Sequence, residues 1–150
     1  MNATEPPRYY SLNRYLRDRF GCRVQKITID AGLGCPNRNG RVATGGCIYC
    51  NDRGSGTGTH ASGRSITEQL LQGKQRLARR YKAKKFIAYF QSFSNTYAPV
   101  ATLRSLYGEA LAVDDVVGIS IGTRPDCIDD EVLDLLAEFD RRCLVWLEIG

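Results

Sequence analysis

Val116-Val-Gly-Ile-Ser-Ile-Gly122 runs directly into Thr123-Arg-Pro-Asp126, and these two short stretches decide the architecture. The first carries no charge and does not alternate apolar with polar residues. A strand that is apolar on both faces is buried on both, as in parallel sheets covered by helices. The polar tetrapeptide then falls at the strand's carboxyl end, which is where ligands bind in parallel α/β folds.

Working outward, the same unit recurs. After it, Asp129 or Asp130 is placed to cap a helix carrying Val132, Leu135, Leu136 and Phe139, and Leu144-Val-Trp-Leu-Glu-Ile-Gly150 reads as a fourth strand. Before it, Pro99 opens a helix carrying Leu103, Leu106, Tyr107, Ala110 and Leu111, preceded by the polar loop Ser92–Ala98 and the strand Phe86–Gln91. Ser65-Ile-Thr-Glu68 fits a capping box for a helix to about Lys82, with Ile66, Leu70, Leu77, Ala78 and Tyr81 on its apolar stripe. Val24–Asp30 is the first strand, and Ser11 caps an opening helix (Leu12, Tyr15, Leu16, Phe20) that Gly21 stops. The class is therefore α/β with parallel (βα) repeats, in a TIM-type barrel or an open doubly wound sheet. Because the last strand has no helix after it, the chain reads as truncated after the fourth strand. The whole is then about 250 residues if the units close as an eight-unit barrel.

Between Gly32 and Gly63 neither period is present, and 9 of the 15 glycines fall there. So long a loop in a compact domain is functional or disordered. Its content argues for function: Cys35-Pro-Asn-Arg-Asn-Gly-Arg-Val-Ala-Thr-Gly-Gly-Cys47-Ile-Tyr-Cys50-Asn51 holds three of the six cysteines, spaced C-x11-C-x2-C. Two thiolates two residues apart can grip one metal centre from a single turn, and the glycines let the third return to it. Zinc and an iron–sulfur cluster both use such sets. Cys22, Cys127 and Cys143 lack metal spacing and read as small packed residues.

No apolar run is long enough to span a membrane, and the first residues lack the core of a signal peptide, so a cytoplasmic chain with reduced thiols is expected. The net charge of +5 is unevenly placed. Residues 1–85 carry 17 Lys/Arg against 5 Asp/Glu, and residues 86–150 carry 4 against 11. A basic half suits a polyanion such as nucleic acid or an acidic electron donor. Lys74 to Lys85 reads as one solvated helix face, leaving Arg8, Arg14, Arg17, Arg19, Arg23 and Lys26 as a separate patch.

The strand ends gather Asp30 and the cysteine loop, then Gln91, Ser92, Ser94, Asn95 and Thr96, then Thr123, Arg124 and Asp126, then Glu148. Such a rim suits a zwitterionic, ribose-bearing ligand. Three cysteines are one short of the four that complete a cubane cluster, which leaves one iron open. That is the arithmetic of a [4Fe-4S] cluster that binds S-adenosylmethionine through its amino and carboxylate groups and cleaves it reductively.

Cys35-Pro-Asn-Arg-Asn-Gly through Gly45-Gly-Cys47-Ile-Tyr-Cys50-Asn51 resembles the radical S-adenosylmethionine superfamily, in particular its YhcC/YtqA-like branch. Gly122-Thr-Arg-Pro-Asp126 is similar to the matching strand end of the elongator catalytic subunit. The resemblance runs from about Tyr9 to Gly150 and implies a partial TIM-type barrel. Residues 1–22 are then a lead-in and helix, and residues 23–150 the amino-terminal half of a radical S-adenosylmethionine core. It implies Cys35, Cys47 and Cys50 as cluster ligands and Tyr49, Asn95, Arg124, Asp126 and Glu148 at the cofactor. The implied chemistry is generation of a 5′-deoxyadenosyl radical for tRNA modification, with flavodoxin or ferredoxin as electron donor. Ser94-Asn95-Thr96 stands where the superfamily carries Gly-Gly-Glu. For Arg124 and Asp126 a turn salt bridge is the alternative role. The rival for the whole loop is zinc with His60 as fourth ligand, giving a binding module for nucleic acid or protein without catalysis.

Overall fold

The computed structural model describes residues 8–56 and 63–150. Helix α1 (Leu12–Phe20) starts where the Ser11 hydroxyl accepts from the Arg14 amide and ends at Gly21, whose φ of 69° is the left-handed conformation that lacks a steric penalty only in glycine. Strand β1 (Val24–Ile29) follows, and then the cysteine loop, which holds no helix or strand among its described residues. Helix α2 (Ile66–Tyr81) opens on the expected reciprocal capping box, with Ser65 bonded to the Glu68 amide and Glu68 to the Ser65 amide. Strand β2 (Lys85–Phe90), helix α3 (Val100–Leu111), strand β3 (Val116–Thr123), helix α4 (Asp130–Asp140) and strand β4 (Leu144–Ile149) complete the chain. Asp129 rather than Asp130 caps α4, accepting from the Val132 amide at 2.9 Å.

The four strands are all parallel and lie in chain order β1-β2-β3-β4. A doubly wound sheet reverses its order part-way and places helices on both faces. Here there is no reversal. Ile27, Ile29, Phe86, Ala88, Phe90, Ile119 and Ile121 point to one face, where they join Leu70 of α2, Leu103 and Tyr107 of α3 and Leu135 and Phe139 of α4 in a single core. On the opposite face Leu16 of α1 packs with Val24, Ile87 and Leu144 at the strands' amino ends. The rest of that face carries Lys26, Tyr89, Ser120, Trp146 and Glu148, a polar and aromatic set rather than a second apolar layer.

Candidate metal and cofactor centre

The cysteine loop is shaped by its own polar backbone. The Cys35 carbonyl accepts from the Arg38 and Asn39 amides, and the Pro36 carbonyl accepts from Val42, so the chain folds back immediately after the first cysteine. The Gly46 amide donates to the Asn37 carbonyl at 2.9 Å, bringing Cys47 alongside. The Cys50 amide donates to the Cys47 carbonyl at 3.0 Å, so the last two cysteines share one turn. Asn51 closes the segment, its side chain accepting from the Arg53 and Ser55 amides.

A second loop, between β2 and α3, anchors the first to the sheet. The buried Asn95 side chain donates to the Phe90 and Gly122 carbonyls at 3.0 and 2.9 Å, tying the end of β2 to that of β3. The Tyr107 hydroxyl, with its pKa pushed up by burial, donates to the Asn95 carbonyl at 2.6 Å. Thr96 meets Thr123 hydroxyl to hydroxyl at 2.7 Å. Held this way, the loop reaches across: the Phe93 amide donates to Gly54 and the Ser94 amide to Gly34, one contact on each side of the cysteines. Gly54 allows this approach, because a Cβ there would lie 2.5 Å from the Phe93 ring.

Cys35, Cys47 and Cys50 line a single cavity of about 170 Å³ at the carboxyl ends of the strands, together with Arg38, Ser94, Arg124 and Glu148. Each sulfur has a polar neighbour: Ser94 donates to Cys35 at 3.5 Å, Asn37 to Cys47 at 3.1 Å, and Ser55 lies 3.4 Å from Cys50. A hydrogen bond from the Tyr49 hydroxyl, then one from Asn37, lowers the Cys47 pKa, with the Arg124 charge acting in the same direction. Thiolates are what a metal binds, and donors around a sulfur stabilise that form. All six cysteines are unpaired.

The expected cofactor residues divide. Tyr49, Arg124 and Glu148 line the cavity with the cysteines; Asn95 and Asp126 do not. Asn95 was expected at the cofactor, but it is fully buried and its amide is used between the strands, so Ser94 faces the cavity instead. Asp126 accepts twice from Arg124, at 2.8 and 2.7 Å, so the two form the turn salt bridge allowed as their alternative role. That bond lowers the Asp126 pKa and raises the Arg124 pKa. Asp126 lines a neighbouring cavity with Arg41, Tyr97 and Cys127.

Glu148 has partners within the chain: Lys26 and Ser120 both donate to it, Ser120 at 2.6 Å. Burial raises its pKa, but hydrogen bonds from Lys26, Ser120 and Tyr89 outweigh that and leave it lowered. Ser94 was among the strand-end residues read from sequence, but Arg38, Asn37 and Lys26 were not singled out for the centre. Of these only Lys26 leaves a signal, as a cation between Val24 and Ile27 in an otherwise half-apolar strand. His60, the fourth ligand of the zinc alternative, lies outside the described residues. Among the described residues, no three of His, Cys, Asp and Glu sit close enough to share one ion. A cubane makes a different demand, since each thiolate binds its own iron and the sulfurs stand farther apart.

The chain is homologous, over some nine-tenths of its length, to proteins from bacteria and an archaeon. It is 48% identical over 143 residues to the uncharacterized protein YtqA of Bacillus subtilis, covering 95% of this chain and 44% of that protein. It is 44% identical over 136 residues to protein YhcC of Escherichia coli K12, covering 90% and 43%. To the uncharacterized protein MJ0486 of Methanocaldococcus jannaschii it is 34% identical over 138 residues, covering 91% and 42%. The chain thus spans less than half the length of each of these relatives, whose names state no activity. No family model and no solved structure matches it.

Proposed function

We propose that this chain supplies the cluster-binding half of a radical S-adenosylmethionine enzyme acting on tRNA, with Cys35, Cys47 and Cys50 as ligands of a [4Fe-4S] cluster. The observation that supports this is that Cys35, Cys47 and Cys50 all line one cavity at the carboxyl end of a parallel sheet in chain order. The donor set fits the group: three thiols, a hydrogen-bonding neighbour for each, and Arg38 and Arg124 nearby to offset the negative charge of ligated thiolates. Held by Cys35, Cys47 and Cys50, a reduced cluster would supply the one-electron reduction of the sulfonium cofactor, with a flavodoxin- or ferredoxin-like protein as the source of that electron. The chain's own part is to hold and shield. Tyr49 and Asn37 steady Cys47, Ser94 steadies Cys35, and Arg124 keeps a cation beside the cavity while its fork is fixed on Asp126. Glu148 presents a carboxylate, held anionic by Lys26, at the cavity's edge, where it can accept from cofactor hydroxyl or ammonium groups.

The four-strand order is that of half a TIM-type barrel. A tRNA substrate accords with the basic amino-terminal half. A cytoplasmic site of action accords with the unpaired thiols, and no helix among the described residues is long and apolar enough to cross a membrane. The test is anaerobic incubation of the reconstituted chain with S-adenosylmethionine and dithionite. Formation of 5′-deoxyadenosine supports the reading, and a fully loaded cluster that leaves S-adenosylmethionine intact and unbound overturns it.

A further inference from the structure

At the strands' amino ends, about 20 Å from the cysteines by the length of six-residue β2, lies a second concave site. Its volume is about 360 Å³, and Arg17, Arg23, Lys82 and Lys84 line it without a carboxylate. Among the described residues none of the four is in an ion pair. The Arg23 guanidinium stands 5.5 Å from the centre of the Tyr81 ring, and its Nε–H is buried without an acceptor. Helix C-termini do attract cations, and α1 and α2 both end here. One end carbonyl of each is already bonded, Gly21 donating to Arg17 and Lys82 to Ala78. Four full charges also exceed what two half-charges call for.

We propose that this face binds the phosphate backbone of nucleic acid, one phosphate seating among Arg17, Arg23, Lys82 and Lys84. A guanidinium fork donates to a phosphate in bidentate fashion, and the two lysines add point charges beside it. A polynucleotide fits better than an isolated phosphate because the cations continue past the site. Arg79 and Arg80 extend it along α2, and Arg19, Lys85, Arg141 and Arg142 line the adjoining groove, where Asp140 is the single carboxylate among the lining residues. Nothing in the pocket reads a base, so RNA and DNA strands bind alike.

The test uses the iron-free chain, so its result is independent of the cluster, and follows the anisotropy of labelled 20-nucleotide RNA and single-stranded DNA as salt is raised. The double variant R17Q/K84Q changes two exposed side chains and should keep the wild-type circular dichroism. It is expected to bind both strands about tenfold more weakly at low salt, with a salt slope shallower by about 1.4, or 0.7 per lost phosphate contact. The control R53Q/R64Q, toward the other end of the strands, should leave both unchanged. Four results overturn the proposal: no binding by the wild type, an unchanged slope in R17Q/K84Q, the loss appearing in the control instead, or binding only to anionic phospholipid vesicles or an acidic protein.

Discussion

Replacing Lys26 by Met removes the cation that Glu148 rests on while keeping the stem that lies over the inner face. Lys26 donates to Glu148 and, at 3.1 Å, to Ser120, and its ammonium stands 4.7 Å from the centre of the Tyr89 ring and 5.2 Å from that of Trp146. A fully buried pair broken from one side costs about 3–5 kcal/mol, and a surface pair about 0–1. The side chains here are 27% and 39% exposed, so solvent screens part of the loss and Ser120 still serves the carboxylate. The expected cost is about 1–2 kcal/mol at neutral pH, of which the cation–π contacts contribute about 0.5. The pH dependence separates this account from simple loss of packing. Glu148 has a folded pKa below its ordinary 4.5, so its contribution is complete above that value and is lost as pH falls through the folded one. Without Lys26, the burial that opposes ionisation is less well offset. Urea denaturation with a constant slope should therefore show a large gap between wild type and K26M at pH 7, closing as the medium is acidified below pH 4.5. An equal gap at both pH values refutes the electrostatic reasoning.

Asn95→Ala deprives the Phe90 and Gly122 carbonyls of their side-chain donor in a fully buried place, and should lower stability by about 2–4 kcal/mol in thermal melts while the folded fraction still takes up iron. Gly73→Ala replaces a poor helix former, yet its Cβ would lie 2.3 Å from Cγ2 of buried Ile27, so a net loss of about 1–2 kcal/mol is expected. Gly108→Ala, inside α3 with nothing within 4 Å of the new Cβ, should instead gain up to about 1 kcal/mol on the same denaturation curves. Tyr49→Phe and Asn37→Ala each remove a donor that lowers the Cys47 pKa. The pH midpoint for alkylation of Cys47 in the iron-free chain, read by mass spectrometry, should therefore move up toward the ordinary thiol value.

Much of this was legible in the residues because the signals are local. The Ser65 to Glu68 box, the Ser11 cap and the Gly21 stop each depend on groups within four residues, and each appears as read. The parallel class followed from one charge-free strand, β3, which has no solvent side to mark. Choosing between the two parallel architectures needed the strand order, which depends on contacts across the sheet that no local pattern encodes. The cysteine motif announced itself by spacing, but Asn37, Ser94 and Arg38 reach it through backbone turns and a clamp from another loop. Asn95 shows the opposite case. A polar residue after a strand looks like a ligand contact from sequence, yet two open carbonyls at the ends of β2 and β3 claim it first. Glu148 finds its partners far off in the chain, Lys26 122 positions away and Ser120 28 away, contacts that no local pattern shows.

The central claim concerns three thiolates and one cubane, so iron, acid-labile sulfide and visible absorbance should be measured on the anaerobically reconstituted chain and on Cys47→Ser side by side. The account predicts matched iron and sulfide with a brown chromophore in the first, and loss of both in the second. A serine variant that keeps its full iron and its colour, or a colourless wild type carrying a single zinc, would contradict it.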